Sequence, residues 1–276
     1  MDKRSLVLYL SGLAAAGAVV GLAASCSDQP RMKCTAGHGA FAAVYTPKGG
    51  TDCDLHGEEI GIEAYNESLP DKSTLDPNNG SLGMEPVALA ARIDQHPPDM
   101  NGAHSAFSLG KWAGREPGGD EFCTVSNPTN IEQNLEYVPP GQLQPDGGPG
   151  TEAVPALNIK YEWSNVRFYN TPAAPGTQLI ADLILTRTEG SLDGGAGTPC
   201  TAEYKVVGLW PSISCAASPL EDGGAPPDPL DYSKCSPEPD PSKNRPTGSG
   251  IGPDLLTRCD ENLRLCVLAK DPPSFK

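Results

Sequence analysis

Leu157-Asn158-Ile159-Lys160-Tyr161-Glu162-Trp163-Ser164 alternates apolar and polar side chains without a break. A period of two sends Leu157, Ile159, Tyr161 and Trp163 to one face, the signature of a half-buried β-strand. The apolar phase then slips by one, to Val166 and Phe168. One extra residue turns every later side chain over, so a bulge at Ser164-Asn165 is expected inside a strand over 157–169. Tyr161 and Trp163 share their face with Leu157 and Ile159. That predicts core positions for both, not a sugar-stacking platform.

Two further stretches read as core strands. Leu179-Ile180-Ala181-Asp182-Leu183-Ile184-Leu185 is one, and Tyr204-Lys205-Val206-Val207-Gly208-Leu209-Trp210 is the other, ended by Pro211. Shorter candidates are 41–45, followed by a Pro47-Lys48-Gly49-Gly50 turn, and 60–65. Residues 86–95 fit a short helix, with Pro86 tolerated in the first turn. Thr129-Asn130-Ile131-Glu132 has capping-box spacing, which predicts a second short helix with Ile131 and Leu135 on one face. Residues 75–83 read as polar and turn-forming. Residues 139–155 hold nine Gly or Pro in seventeen and read as a loop. Strands joined by turn-rich connections indicate a mainly β domain, an antiparallel β-sandwich or barrel, with long Gly/Pro-rich loops and disulfides.

There are nine cysteines. If Cys26 is set aside, Cys34, Cys53, Cys123, Cys200, Cys215, Cys235, Cys259 and Cys266 remain, an even set that fits four disulfides in an exported chain. A strand over 201–210 spans about 33 Å, and five residues return only about 17 Å, so Cys200 and Cys215 should not bond. The expected pairs are Cys34–Cys53, Cys123–Cys200, Cys215–Cys235 and Cys259–Cys266. The last would close a hairpin over 255–268, with Asn262-Leu263 as its turn and Glu261 facing Arg264.

Cys26 is set aside because of what precedes it. Lys3 and Arg4 are followed by an uncharged, mostly apolar run over 5–25, closed by Leu22-Ala23-Ala24-Ser25-Cys26. This resembles the lipobox signal peptide of bacterial lipoproteins, a resemblance that covers residues 1–26 only. It implies a signal peptide over 1–25 and a mature chain that begins at a lipidated Cys26. The family usually carries Leu at the third position before the cysteine; here that position is Ala23 and Leu22 lies one earlier. The other reading is an uncleaved apolar anchor, since about 20 apolar residues can span a bilayer. Ser27, by the same resemblance, implies sorting to the outer membrane. Residues 26–33 would then be a short tether. The seven after Cys26 reach about 25 Å at most, which keeps the body near the lipid.

Removal of 1–25 takes the 35 acidic and 20 basic residues to 34 and 18, a formal charge of −16. That argues against nucleic acid as a partner and against anionic head groups, since both need a basic face. Residues 34–218 are expected to form the β domain. Residues 219–254 hold fourteen Gly or Pro in thirty-six, with seven acidic residues, and read as a surface loop pinned by Cys235. Residues 255–276 complete the chain as a disulfide hairpin packed on that domain.

The sequence carries no recognisable catalytic signature and no cofactor motif. Gly248-Ser249-Gly250 has Thr247 where a nucleophile elbow needs glycine. Gly110-Lys111 lacks the flanking residues of a phosphate loop. Asp146, Asp193 and Asp222 each open an Asp-Gly-Gly turn. The histidines are His38, His56, His96 and His104. Cys34, His38, Cys53 and His56 could in principle make a tetrahedral zinc set, although an exported chain favours disulfides at both cysteines. Trp112, beside Lys111, is the candidate exposed aromatic. The expected product is a membrane-anchored, non-enzymatic structural or binding lipoprotein of the cell envelope. Its partners would be the membrane, through the N-terminal lipid, and a protein or polysaccharide of the envelope. A carbohydrate-binding surface protein and an exported hydrolase are the alternatives.

Overall fold

A computed structural model describes residues 32–71, 75–96, 105–141, 152–216, 229–243 and 245–276. Cys26 and the apolar run before it lie outside these residues, as do His104, most of the expected loop at 139–155 and the first third of the acidic stretch at 219–254. The described chain is mainly β and all its strand pairings are antiparallel. The strands are β1 (Gly39–Pro47), β2 (Gly57–Ser68), β3 (Leu75–Pro86), β4 (Ser108–Trp112), β5 (Phe122–Ser126), β6 (Ile131–Leu135), β7 (Leu157–Thr171), β8 (Ala174–Glu189) and β9 (Cys200–Leu209). A short helix, α1 (Val87–Asp94), follows β3, and a hairpin of β10 (Thr257–Asp260) and β11 (Leu265–Leu268) ends the chain.

The main sheet runs β5-β4-β3-β2-β1-β9-β8-β7-β6, and β5 also pairs with β7. That last pairing closes the sheet into a barrel. β5 and β6 share one edge of β7: β5 lies opposite Arg167–Tyr169 and β6 opposite Leu157–Tyr161. Closure pairs away most of the strand edges through which open sheets associate and leaves β6, bonded to β7, as the strand that ends the sheet.

The alternation in β7 does what its period requires. Leu157, Ile159, Tyr161 and Trp163 are buried, and after the slip so are Val166 and Phe168. The slip is a bulge: the register with β8 shifts between Ser164 and Arg167, and Asn165 takes a positive φ of 51°. Phe41 of β1 meets Phe168 edge-on at 5.8 Å across the interior. Ile60, Ile62, Leu82, Met84, Leu183 and Tyr204 fill the same core, and Leu89 of α1 packs against it. A second, smaller core gathers Leu209, Ile251, Leu255 and Leu268 around the four C-terminal cysteines.

Three expectations are corrected. Residues 131–135 form a strand, not a helix; Ile131 and Leu135 still share a face, because a spacing of four satisfies both periods. Residues 75–83 belong to β3, a strand whose polar sequence hides it. The disulfides are Cys34–Cys123, Cys53–Cys200, Cys215–Cys259 and Cys235–Cys266. All eight cysteines pair, and Cys200 and Cys215 do not bond, but none of the four expected pairs forms. Cys34 and Cys53 flank β1, whose nine residues span about 30 Å. Cys259 and Cys266 do face each other in register. Opposed Cβ atoms sit about 4.5–5.5 Å apart, wider than the roughly 3.8 Å a disulfide prefers. Each sulfur instead reaches a neighbouring segment. Cys123 and Cys200 follow suit, because strand order places Cys200 beside the β1–β2 loop.

Candidate functional site

Two places concentrate chemistry, one inside the barrel and one on its wall. Inside, β2 presents Glu58, Ile60 and Ile62 to the core in one phase. Gly57 makes this possible: a Cβ there would stand 2.1 Å from the Ala43 carbonyl oxygen, so only glycine lets β2 start so close to β1. Glu58 is therefore carried inside. Its Oε1 accepts from the hydroxyls of Tyr45, at 2.9 Å, and Tyr161, at 3.1 Å.

Burial pushes the Glu58 carboxyl up to about 7, against the pull of the two hydroxyls and the Arg187 charge. Burial first, and the Glu58 charge next, hold the Tyr45 and Tyr161 hydroxyls well above their ordinary value. The Trp163 ring stacks on Tyr161 at 6.0 Å and meets Tyr45 edge-on at 6.4 Å. This group can hold or release one proton near neutral pH. It is walled by aromatic rings, with both tyrosine hydroxyls committed to one carboxylate oxygen.

The second place is the outer wall of β2, β3 and β4. Tyr65, Phe107 and Leu109 are 47%, 45% and 51% exposed. Tyr65 pairs with Ser81 and Gly83 with Leu109, so the three strands stand side by side here. Gly83 lets Tyr65 and Leu109 converge over bare backbone: a Cβ on it would lie 3.4 Å from the Tyr65 ring and 3.6 Å from Leu109. Next to this strip is a groove of about 480 Å³ lined by Ser81, Leu109, Gly110, Lys111, Ser126 and Asn127. Its lining joins one aliphatic side chain, Leu109, to the backbone of Gly110, two serines, an asparagine and a lysine.

The residues singled out from the sequence do not converge. His38 is exposed and pairs with Glu63 at 2.7 Å. His56 lies exposed just before β2, with its carbonyl accepting from the Tyr45 amide at 2.8 Å. His96 is buried at the end of α1, with Nδ1 2.8 Å from the Arg92 carbonyl oxygen. Cys34 and Cys53 are in separate disulfides, so the alternative zinc set with His38 and His56 is not assembled. The sulfurs of Cys215, Cys235 and Cys259 lie within 4.8 Å of one another, as members of two adjacent disulfides. Trp112 is half-buried, not exposed, and meets Phe168 edge-on at 5.7 Å.

Neither place is marked by a motif in the sequence. For Glu58 a signal exists: the phase of Ile60 and Ile62, run back two residues, puts Glu58 on the inner face. For the wall there is little, because the polar run at 75–83 hides β3 and β4 is only five residues long.

The MlpA family model matches residues 39–211, well over half of the chain. The chain belongs to the MlpA family. The matched span runs from the first residue of β1 to Pro211, just past β9, so the family's common part is the barrel. The C-terminal hairpin lies beyond it. The chain is also similar to a Myxococcus xanthus protein named as a candidate lipoprotein, MlpA, at 28% identity over 131 residues. That alignment covers 46% of this chain and 43% of the relative, so the chain spans less than half the relative's length. The relative's name agrees with the lipoprotein resemblance read from residues 1–26. No solved structure matches.

Proposed function

We propose that this MlpA-family protein is an exported lipoprotein of the cell envelope, held by lipid on Cys26, that acts by surface contact and not by catalysis. The outer membrane is its proposed site, on the Ser27 argument. The observation that carries the reading is the filled barrel. Phe41, Tyr45, Tyr161, Trp163, Phe168 and Tyr204 occupy the interior. The carboxyl found there is engaged by two hydroxyls, and the histidines in the described residues are scattered. A hydrolase needs a nucleophile or metal beside an acid or base, in reach of solvent. Contact with a partner needs an accessible, shaped surface, and the β2–β3–β4 wall supplies one.

The test is genetic. Alanine at His38, His56, His96 and His104 singly, and Glu58→Gln, should each leave any cellular phenotype intact. Serine at Tyr65 and Leu109 together should reproduce the deletion while the protein stays folded and localised. A folded, correctly localised histidine or Glu58 variant that matches the deletion would overturn the non-enzymatic reading.

A further inference from the structure

We propose that the strip of Tyr65, Leu109 and Phe107 is a membrane-docking face, on which the barrel lies with its β2–β3–β4 wall against a bilayer. This rests on the lipid-anchor reading of Cys26 and names the partner of the wall already described.

Single exposed apolar residues are ordinary on a soluble protein. These three are not single. Phe107 and Leu109 stand on either side of Ser108, the first residue of β4, and so share its outer face. Leu109 and Tyr65 both lie over Gly83, within 3.6 Å of where its Cβ would stand. The contrast is Ile184 on β8, 39% exposed. It lies in register between two acidic residues, Glu162 and Glu203, whereas the strip has one in its row, Glu63 opposite Gly83, and that one is paired with His38.

The tether selects the occupant. Cys34 is bonded to Cys123, with Cα atoms 5.5 Å apart. The Ala113 amide donates to the Thr124 carbonyl, so Cys123 stands beside Gly114, five positions along the chain from Leu109. Five strand residues span about 17 Å. Residues 27–33 separate Cys26 from Cys34, and they reach about 25 Å. An anchored chain can therefore bring this wall to the lipid surface without strain. The anchor also holds the wall at high effective concentration there, so a weak contact suffices.

Charge decides the mode. A mature charge of −16 gives no attraction to anionic lipid, so docking must come from apolar and aromatic contact. Tyrosine and phenylalanine suit the boundary between head groups and acyl chains.

The experiment uses the full-length lipidated protein in vesicles of zwitterionic phosphatidylcholine, with or without brominated acyl chains. Leu109→Trp places a reporter at the centre of the strip, and Ile184→Trp places one on β8. The emission that Leu109→Trp adds over wild type should be quenched by brominated lipid at least about twofold more than that of Ile184→Trp, with little dependence on salt. Equal quenching of the two reporters overturns the docking face, as does protection of Leu109→Trp by a soluble envelope polysaccharide or a second copy of the chain. Failure of the protein to float with the vesicles at all overturns the anchor reading instead.

Discussion

Glu58 sits where a carboxylic acid is most costly to ionise, and its consequence is a pH dependence that runs opposite to the usual one. Its carboxyl is raised from 4.5 to about 7 in the folded chain. Below pH 4.5 it is protonated whether folded or not and has no effect. Between 4.5 and about 7 the unfolded chain loses its proton while the native chain keeps it, so this residue makes stability fall as pH rises. Above that range both states are ionised and the loss is complete, about 3 kcal/mol in all. Glu58→Gln keeps the size and an amide oxygen that can accept from both tyrosines, as Oε1 does now, but removes the titration. Urea unfolding from about pH 4.5 to about pH 7.5 should show a stability that falls with pH less steeply in the variant than in wild type. An unchanged slope would mean that Glu58 is not the buried titrating group.

At the scale of elements, the disulfides join parts that only the assembled barrel brings together. β1 lies between β2 and β9, which places Cys53, in the β1–β2 loop, beside Cys200 at the start of β9. Closure of β5 on β7 likewise positions Cys123 for Cys34. A non-reducing peptide map should therefore recover Cys34–Cys123, Cys53–Cys200, Cys215–Cys259 and Cys235–Cys266. Recovery of Cys34–Cys53 or Cys259–Cys266 would contradict the topology. The long-range pairs enclose large loops, and each should be worth about 4 kcal/mol to the folded state. What is legible in the sequence is what local periodicity encodes. The inward face of β7, its bulge, the core stretches of β8 and β9, the helix after Pro86 and the Cys259/Cys266 register are all of this kind. What is not legible depends on distant chain. Ile131 and Leu135 fit a helix and a strand equally well, and strand partners decide between them. β3 is polar over much of its length and is held as a strand between β2 and β4. The cysteine partners follow from strand order, which no local spacing reveals.

For the whole molecule, closure and charge point the same way. A barrel closed by β5 on β7, with β6 as the one described strand of its sheet outside the ring, and a large negative charge both work against self-association at the density a membrane surface would impose. Its interior is filled by packed side chains, and the proposed contact falls to the outer wall. The part that matches the MlpA family model, residues 39–211, is the barrel, and the proposed anchor and the C-terminal hairpin lie on either side of it. Both the proposed role and the docking face depend on where that body is held. Among the described residues no helix is long and apolar enough to cross a membrane, and Cys26 is the proposed point of attachment. The most direct test is the intact mass of the protein extracted from its native membranes, with fragmentation of its N-terminal peptide. A mature chain that begins at Cys26 and carries acyl groups on that residue is expected. A chain that begins at Met1, or one cut elsewhere with Cys26 unmodified, would contradict the lipid anchor and everything built on it.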